Sequence, residues 1–522
     1  MAEIPAVETG PRGKESRPRG DRASARDLGL LAAVAGVYTL VQLTLFVPGS
    51  GLGWDETVYV SQVARDAEAA FFSAPRARGI TFLVAPVTLL TPSVGVLRVH
   101  LALLSGAGLF GALLVWRGLL PVPVLAVAGA LFAGLWITVV YGPQVMPNLW
   151  VALGALFAAG CFLRAARDRS DRRALAGLGG GVAFVALMRP SDALWLALPL
   201  GIATLLVRAW RRPVLLLTLV AGAVLGCAPW VVEAYTAYGG LLARLRRASE
   251  IQGDLGWHLA FDGHLRALDG RLLCRPCDVP WRRPVTAVWW FVLPPLIAGG
   301  VLAGVRLRRH AVVLVPALTG LALVVPYLLL IDYAAPRFLL PAYALFALPV
   351  ALCLVRLAGS AGLVGSAGSA GSARPGGPAR PRVLVAAVLA VALTGHLAVQ
   401  YAVLGGVAAR SRVGRVAFGR LAAELERQGV RPPCVISGAE AVRIAFRAGC
   451  ASRQTGGHDA AVTPAGLLAE ARDRPVAVVV AGKDEPPPYT RGWRLRRLPD
   501  LPDGRDCRAY LSPSTRPAPG TR

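Results

Sequence analysis

Charge is scarce in this chain. Asp, Glu, Lys and Arg make up 16% of its 522 residues, where a soluble chain carries about a quarter. Long apolar blocks fill the difference, many of them near the ~20 residues a helix needs to cross a bilayer. Open strands are excluded at such depths, because their backbone groups would lie unpaired in lipid. Lysine is nearly missing: Lys14 and Lys483 stand alone, and arginine supplies the rest of the positive charge. With the abundant Ala and Gly, that usage matches a GC-rich genome such as an actinobacterium's. There is no Gly-x-x-x-x-Gly-Lys-[Ser/Thr] loop, so no soluble nucleotide site is expected. Nor is there an internal repeat of the kind that builds transporters from related halves.

The formal net charge is nevertheless +26. In a soluble protein that excess would point to nucleic acid. Here much of it is arginine in short loops between apolar blocks, where it orients the chain and meets anionic membrane lipids. Nucleic acid is therefore not expected as a partner.

The fold class that follows is an all-α polytopic membrane protein with a small α/β domain at its carboxyl end. Residues 1–27 are polar and basic and read as a disordered cytoplasmic tail. No cleavable signal peptide is expected, because the first apolar block starts late and is too long. About eleven spans follow, at 28–48, 93–116, 121–141, 148–165, 174–188, 193–210, 213–232, 286–305, 311–331, 338–356 and 383–404. The loops "RAARDRSDRR", "RAWRR" and "RLRR" are basic and fall on one side, which places the amino terminus inside. Two outer loops, 49–92 and 233–285, are too long to be turns. The first should hold an amphipathic helix in "TVYVSQVARDAEAAFF", with Val58, Val63, Ala67 and Phe71 at helical spacing. The Gly/Ser/Ala-rich segment 359–382 reads as a flexible cytoplasmic linker. Residues 405–522 read as an extracytoplasmic domain, with "CVISG" and "VAVVVAG" as buried strands and "GLLAEARD" as a helix between them.

Eight cysteines are present. Cys161, Cys227 and Cys353 fall within spans and read as packing residues. The other five fall on the outer side, which fits an oxidising compartment. Cys434 ends a Pro-Pro turn and Cys450 ends a helix, so a disulfide between them is expected. Cys274 and Cys277 form a Cys-x-x-Cys that lacks nearby partners for a zinc site. A small disulfide or a pair of thiols is the better reading.

Chemistry is most suggestive at "GLGWDETVYVSQVAR", just beyond the first span. The adjacent acids Asp55 and Glu56 can be read as a solvated helix cap. Their setting suggests more. Trp54 and Tyr59 suit an interface, and Arg76 and Arg78 put positive charge in the same loop. Arg189 opens "RPSD", where Asp192 can neutralise it, and Asp332 in "IDYAAPR" can pair with Arg337. Tyr141, Gln144 and Asn148 lie in a Pro/Gly turn on the same side. His258 and His264 read as surface residues.

The layout of a first span, "WDE" with a nearby Tyr, and a following Pro-Arg stretch resembles the GT-C superfamily of integral-membrane glycosyltransferases. Within it the protein mannosyltransferase and aminoarabinose transferase type is most similar. "APRFLLPAYALFALP" (335–349) resembles that family's late Arg-aromatic-x-x-Pro segment. The Lys-Pro-Pro or His-Pro element often found after the first loop is absent, and "GITFLVAP" stands in its place. The resemblance implies a polyprenyl-phosphate-linked sugar as donor and a hydroxyl as acceptor. It maps the family's acidic residue to Asp55, with Glu56 as its companion. A carboxylate can take the acceptor's proton as the new bond forms. Arginine suits the leaving phosphate because its planar fork pairs two oxygens. Arg337 leads those candidates, with Arg76, Arg78, Arg189 and Tyr59 beside it. No cofactor is assigned, and a divalent cation at the phosphate is left open. A flippase of lipid-linked sugars and a non-catalytic membrane scaffold are the competing readings.

Overall fold

The computed structural model describes residues 19–275, 277, 280–360 and 379–516. Most of the tail expected at 1–27, and most of the linker expected at 359–382, lie outside the described residues. The helices in the membrane-like part are α1 (Arg19–Val41), α2 (Trp54–Ser61), α3 (Gly79–Thr88), α4 (Val94–Val115), α5 (Val122–Ala133), α6 (Trp136–Tyr141), α7 (Pro147–Arg167), α8 (Arg172–Met188), α9 (Pro190–Leu206), α10 (Pro213–Ala237), α11 (Leu241–Ile251), α12 (Phe261–Ala267), α13 (Val288–Arg306), α14 (His310–Leu329), α15 (Leu340–Ser360) and α16 (Ala379–Arg427).

Helix occupies all eleven predicted segments, and among the described residues eight helices are long and apolar enough to cross a membrane. The remaining three segments are shorter or broken. The predicted span 121–141 is α5 and α6, interrupted at Gly134 and Leu135. The α6 start is closed by Gln400 of α16, whose side-chain oxygen accepts from the Trp136 N–H at 3.0 Å. The 17-residue α8 lies against α10. A Cβ on Gly222 would stand 2.6 Å from the Gly179 carbonyl, so only glycine permits this approach. In α7 and α15, 89% of the most apolar window is enclosed by protein, against 6% for α16. The first two form the bundle's centre, and α16 lies on its rim.

Two local expectations are corrected. The amphipathic helix ends at Ser61 instead of running to Phe72. Its end is folded back: Ser61 Oγ accepts from the Ala70 N–H at 3.0 Å, and Gln62 Nε2 donates to the Ala70 carbonyl at 2.8 Å. Those two polar side chains offer the backbone a turn in place of a further helical step. The last predicted span and the amphipathic stretch after it are one uninterrupted 49-residue helix, α16, which carries the chain from the bundle to the carboxyl-terminal sheet.

That sheet has β1 (Val435–Gly438), β2 (Ala451–Ser452), β3 (Val476–Ala481), β4 (Arg494–Leu498) and β5 (Cys507–Leu511), in the order β2-β1-β3-β5-β4. β1 pairs in parallel with β2 and β3, while β5 runs antiparallel to β3 and β4. Helix α17 (Ala441–Ala448) follows β1, and α18 (Pro464–Asp473) precedes β3. β3 is buried along its whole length, which explains its unbroken run of Val and Ala. Cys434 and Cys450 are bonded, with Cα atoms 4.8 Å apart, and Cys274 is bonded to Cys277. Helix α17 packs on both α16 and α2. Glu68 of the first loop receives Arg453 at 3.1 Å and Arg474 at 2.9 Å, so loop and sheet domain are also joined by charge.

Candidate active site

The two adjacent acids divide between the two readings. Gly53 is extended and opens α2. Glu56 caps it, its Oε2 accepting from the Gly53 N–H at 2.9 Å. The same carboxylate accepts from the Val145 N–H at 2.7 Å on Oε1 and from Arg98 Nη2 at 2.8 Å on Oε2, and Arg98 Nη1 reaches Oε1 as well. Arg98 further donates to the carbonyls of Pro143 (2.7 Å) and Gly51 (2.6 Å). Glu56 is 2% exposed and Arg98 is fully buried. The Glu56 oxygens are met by four donors and anchor α2 to α4 and to the 143–145 turn, an arrangement that favours the helix-cap reading of Glu56. Sequence reasoning missed Arg98. Its signal was an arginine inside an otherwise apolar span, a place where charge is costly without a partner.

One position earlier, Asp55 points the other way. Its Oδ1 lies 2.9 Å from Arg76 Nη2 and its Oδ2 lies 3.2 Å from Arg337 Nη2, and its side chain is about a third exposed (34%). Arg76 is steadied by Ser73, whose Oγ accepts from Nε at 2.9 Å, and its guanidinium stands over the Tyr59 ring. Tyr59 is itself buried and forms a platform beneath Arg76. Arg337 donates to the Leu272 carbonyl at 2.8 Å and reaches the Tyr141 hydroxyl at 3.5 Å. Of the two carboxylates that could pair with it, Asp332 and Asp55, it is Asp55 that does.

Arg189 lies next in the charge field of Asp55. It pairs with Asp192 at 3.4 Å and stands over the rings of Tyr327 and Phe338. Arg78 is not part of the Asp55 clamp. It pairs with Glu233 (2.9 Å through Nε), and Glu233 also takes the fully buried Arg244 at 2.8 Å. Arg244 donates to the carbonyls of Ala74 and Arg76, both at 3.0 Å, so this second cluster fixes the backbone that carries Arg76. Gln144 and Asn148 are buried. His264 is buried rather than on the surface, with its Nε2 3.1 Å from the Tyr327 carbonyl. Among the described residues no three His, Cys, Asp or Glu side chains gather as metal ligands.

Burial pushes the Asp55 carboxyl up, but the charges of Arg76 and Arg337 outweigh it and hold the group below the usual carboxylate range. A depressed acid stays ionised down to its own lowered value. The kcat/KM of a reaction that needs ionised Asp55 reports the donor-free enzyme, and should thus persist as pH falls through ~4, the ordinary Asp value, and fail only below it. A pH–rate profile checks this, and Arg76→Met should move the acid limb upward.

This arrangement, a partly exposed carboxylate between two guanidiniums at the end of an apolar bundle, sits in a chain with the GT-C fold of membrane glycosyltransferases. The crystal structure of ArnT from Cupriavidus metallidurans bound to undecaprenyl phosphate matches with a TM-score of 0.63 at 14% identity, covering 94% of this chain and 99% of that one. Its apo form matches at 0.60 and 14%, covering 95% and 100%. The oligosaccharyltransferase of Archaeoglobus fulgidus tethered to an acceptor peptide matches at 0.51 and 16%, covering 87% of this chain and 69% of that one. No family model matches the sequence, and no curated protein matches it.

Proposed function

We propose that this protein is an integral-membrane glycosyltransferase. It moves a sugar, a hexose or pentose, from a polyprenyl-phosphate-linked donor to a hydroxyl of an envelope glycan, lipid or protein. The reaction lies on the outer face of the plasma membrane, with the sheet domain on that side and the amino terminus in the cytoplasm. The observation that carries the reading is Asp55 held by Arg76 and Arg337, two arginines far apart in the chain that converge on one solvent-reachable carboxylate. The lipid-linked donor is supported by the likeness to a structure that holds undecaprenyl phosphate.

The chemistry follows from charge. Three arginines (Arg76, Arg189, Arg337) face two carboxylates (Asp55, Asp192), which leaves one positive charge for a phosphate. As the acceptor oxygen bonds to the anomeric carbon, its proton passes to Asp55. The bond from that carbon to the phosphate oxygen breaks, and the electron pair leaves with the lipid phosphate. The charge it carries falls to Arg76 and Arg337. The same arginines make Asp55 a weak base while no donor is present. A phosphate that draws them away restores its basicity, so the base is armed only when the donor is bound.

The test is transfer of labelled sugar from polyprenyl-phosphate donors in proteoliposomes. Arg337→Gln should lower turnover by about 10²–10³-fold, the usual loss of one preorganised donor to a developing negative charge. Turnover at the wild-type rate in that variant would remove Arg337 from the phosphate site.

A further inference from the structure

Beyond its apolar part, α16 carries Arg410, Arg412, Arg415 and Arg420, and no acid precedes Glu424 in that stretch. Such a run on the outer side opposes the usual bias of positive charge to the cytoplasm, so it calls for a local partner. The protein supplies few. Arg410 donates to the Gly270 carbonyl and is in no ion pair. Arg443 on α17 pairs with Glu440 and stacks on Phe418. Among the described residues neither Arg415 nor Arg447 has an ion pair or hydrogen bond to the protein. These two unpaired arginines border adjoining cavities that share Arg443. One, of about 190 Å³, is lined by Arg410, Arg415 and Arg443. The other, of about 670 Å³, is lined by Arg443, Arg447, Arg65, Asp66 and Glu426. Burial and the charge of Arg415 both work against the Arg447 guanidinium and push its pKa down. Two like charges held together, neither of them in an ion pair, form an anion cradle.

We infer that the cleft between the first loop, α16 and α17 is a second anion site, separate from the Asp55 clamp, that binds a phosphate group on Arg415, Arg443 and Arg447. The phosphate belongs either to a membrane-lipid headgroup or to a soluble phosphoester; the recognition chemistry is the same. The site adjoins the reaction centre. The small cavity is lined by Gly51, Gly53 and Glu56, the residues that open α2 and so present Asp55. Gly51 approaches α16 so closely that a Cβ there would stand 2.9 Å from Arg415 Cβ. A ligand in the cleft thus rests on the turn that positions Asp55.

The experiment uses the full chain in nanodiscs and reads ligand-induced thermal stabilisation. One series titrates phosphatidylglycerol into phosphatidylcholine discs; the other adds glycerol phosphate to pure phosphatidylcholine discs. Stabilisation by either probe supports the site, and the series that responds names the source. Arg415→Gln with Arg447→Gln should weaken the response about tenfold for each arginine removed. Neither side chain has an ion pair or hydrogen bond to the rest of the protein, so the variant should keep the melting temperature of the wild type in phosphatidylcholine alone. Asp55→Asn should keep the full response, which separates this site from the catalytic assignment. No response to either probe, or an undiminished one in the double variant, overturns the inference.

Discussion

Asp55→Asn is expected to lower the rate of sugar transfer by about 10²–10⁴-fold, the usual contribution of a positioned general base. The amide keeps the shape of the side chain and loses both its charge and its capacity to take a proton. The folded state should lose little, because an ion pair at a side chain about a third exposed contributes only modestly in water. Donor binding should move the other way. In the native protein the carboxylate competes with the incoming phosphate for Arg76 and Arg337. Removing its charge leaves both forks free, so the donor should bind more tightly while turnover falls. That opposite movement separates a lost base from a damaged site, which would weaken both. Steady-state transfer and equilibrium binding of a labelled donor in proteoliposomes measure the two quantities. Wild-type turnover in the variant would sink the assignment of Asp55 as base.

The parts of this fold that were legible in the sequence are those set by local pattern. Apolar length marked eleven helical segments, and a change of period after residue 405 marked the strands around Val435 and Val476. Asp55 stood out because a carboxylate at the end of an apolar block is conspicuous, and Arg76 because it shares the loop. Arg337 needed the likeness of its segment to a known family. The parts that were not legible share one physical cause. Glu56 was grouped with Asp55 because they are neighbours in sequence, yet one step along the first turn of a helix sends two side chains in different directions. Its partner, Arg98, is 42 positions away, and the Arg78 partner, Glu233, is 155 away. No spacing rule reaches that far. The failed helix past Ser61 is of the same kind: Val63, Ala67 and Phe71 have the right period, but Ser61 and Gln62 bond across the turn to Ala70. Charge inside an apolar span is a usable signal of a buried partner, and Arg98 carries it.

Arg98→Met should destabilise the protein by about 3–5 kcal/mol, the typical cost of breaking a buried ion pair from one side. Methionine fills the space and matches the apolar span, so packing is not what is lost. The loss is that Glu56, 2% exposed, is left buried with no cation beside it. Two backbone N–H groups, from Gly53 and Val145, are all that would remain to it. The carbonyls of Gly51 and Pro143 lose a donor in the same step. Glu56→Gln leaves the converse problem, a buried guanidinium without its carboxylate. Combining the two should cost less than the sum of the single changes, because no isolated charge is then left in the bundle. Unfolding of the purified protein in detergent, with each single variant and the pair, measures this coupling. If each single change costs under about 1 kcal/mol, the level of an exposed pair, the anchor is not what holds α2. The pair also tests how site and fold are joined. The carboxylate that fixes the helix start is the residue after Asp55, so a variant that folds without the anchor should present Asp55 loosely to Arg76 and Arg337, and its transfer rate should fall further than its stability alone accounts for.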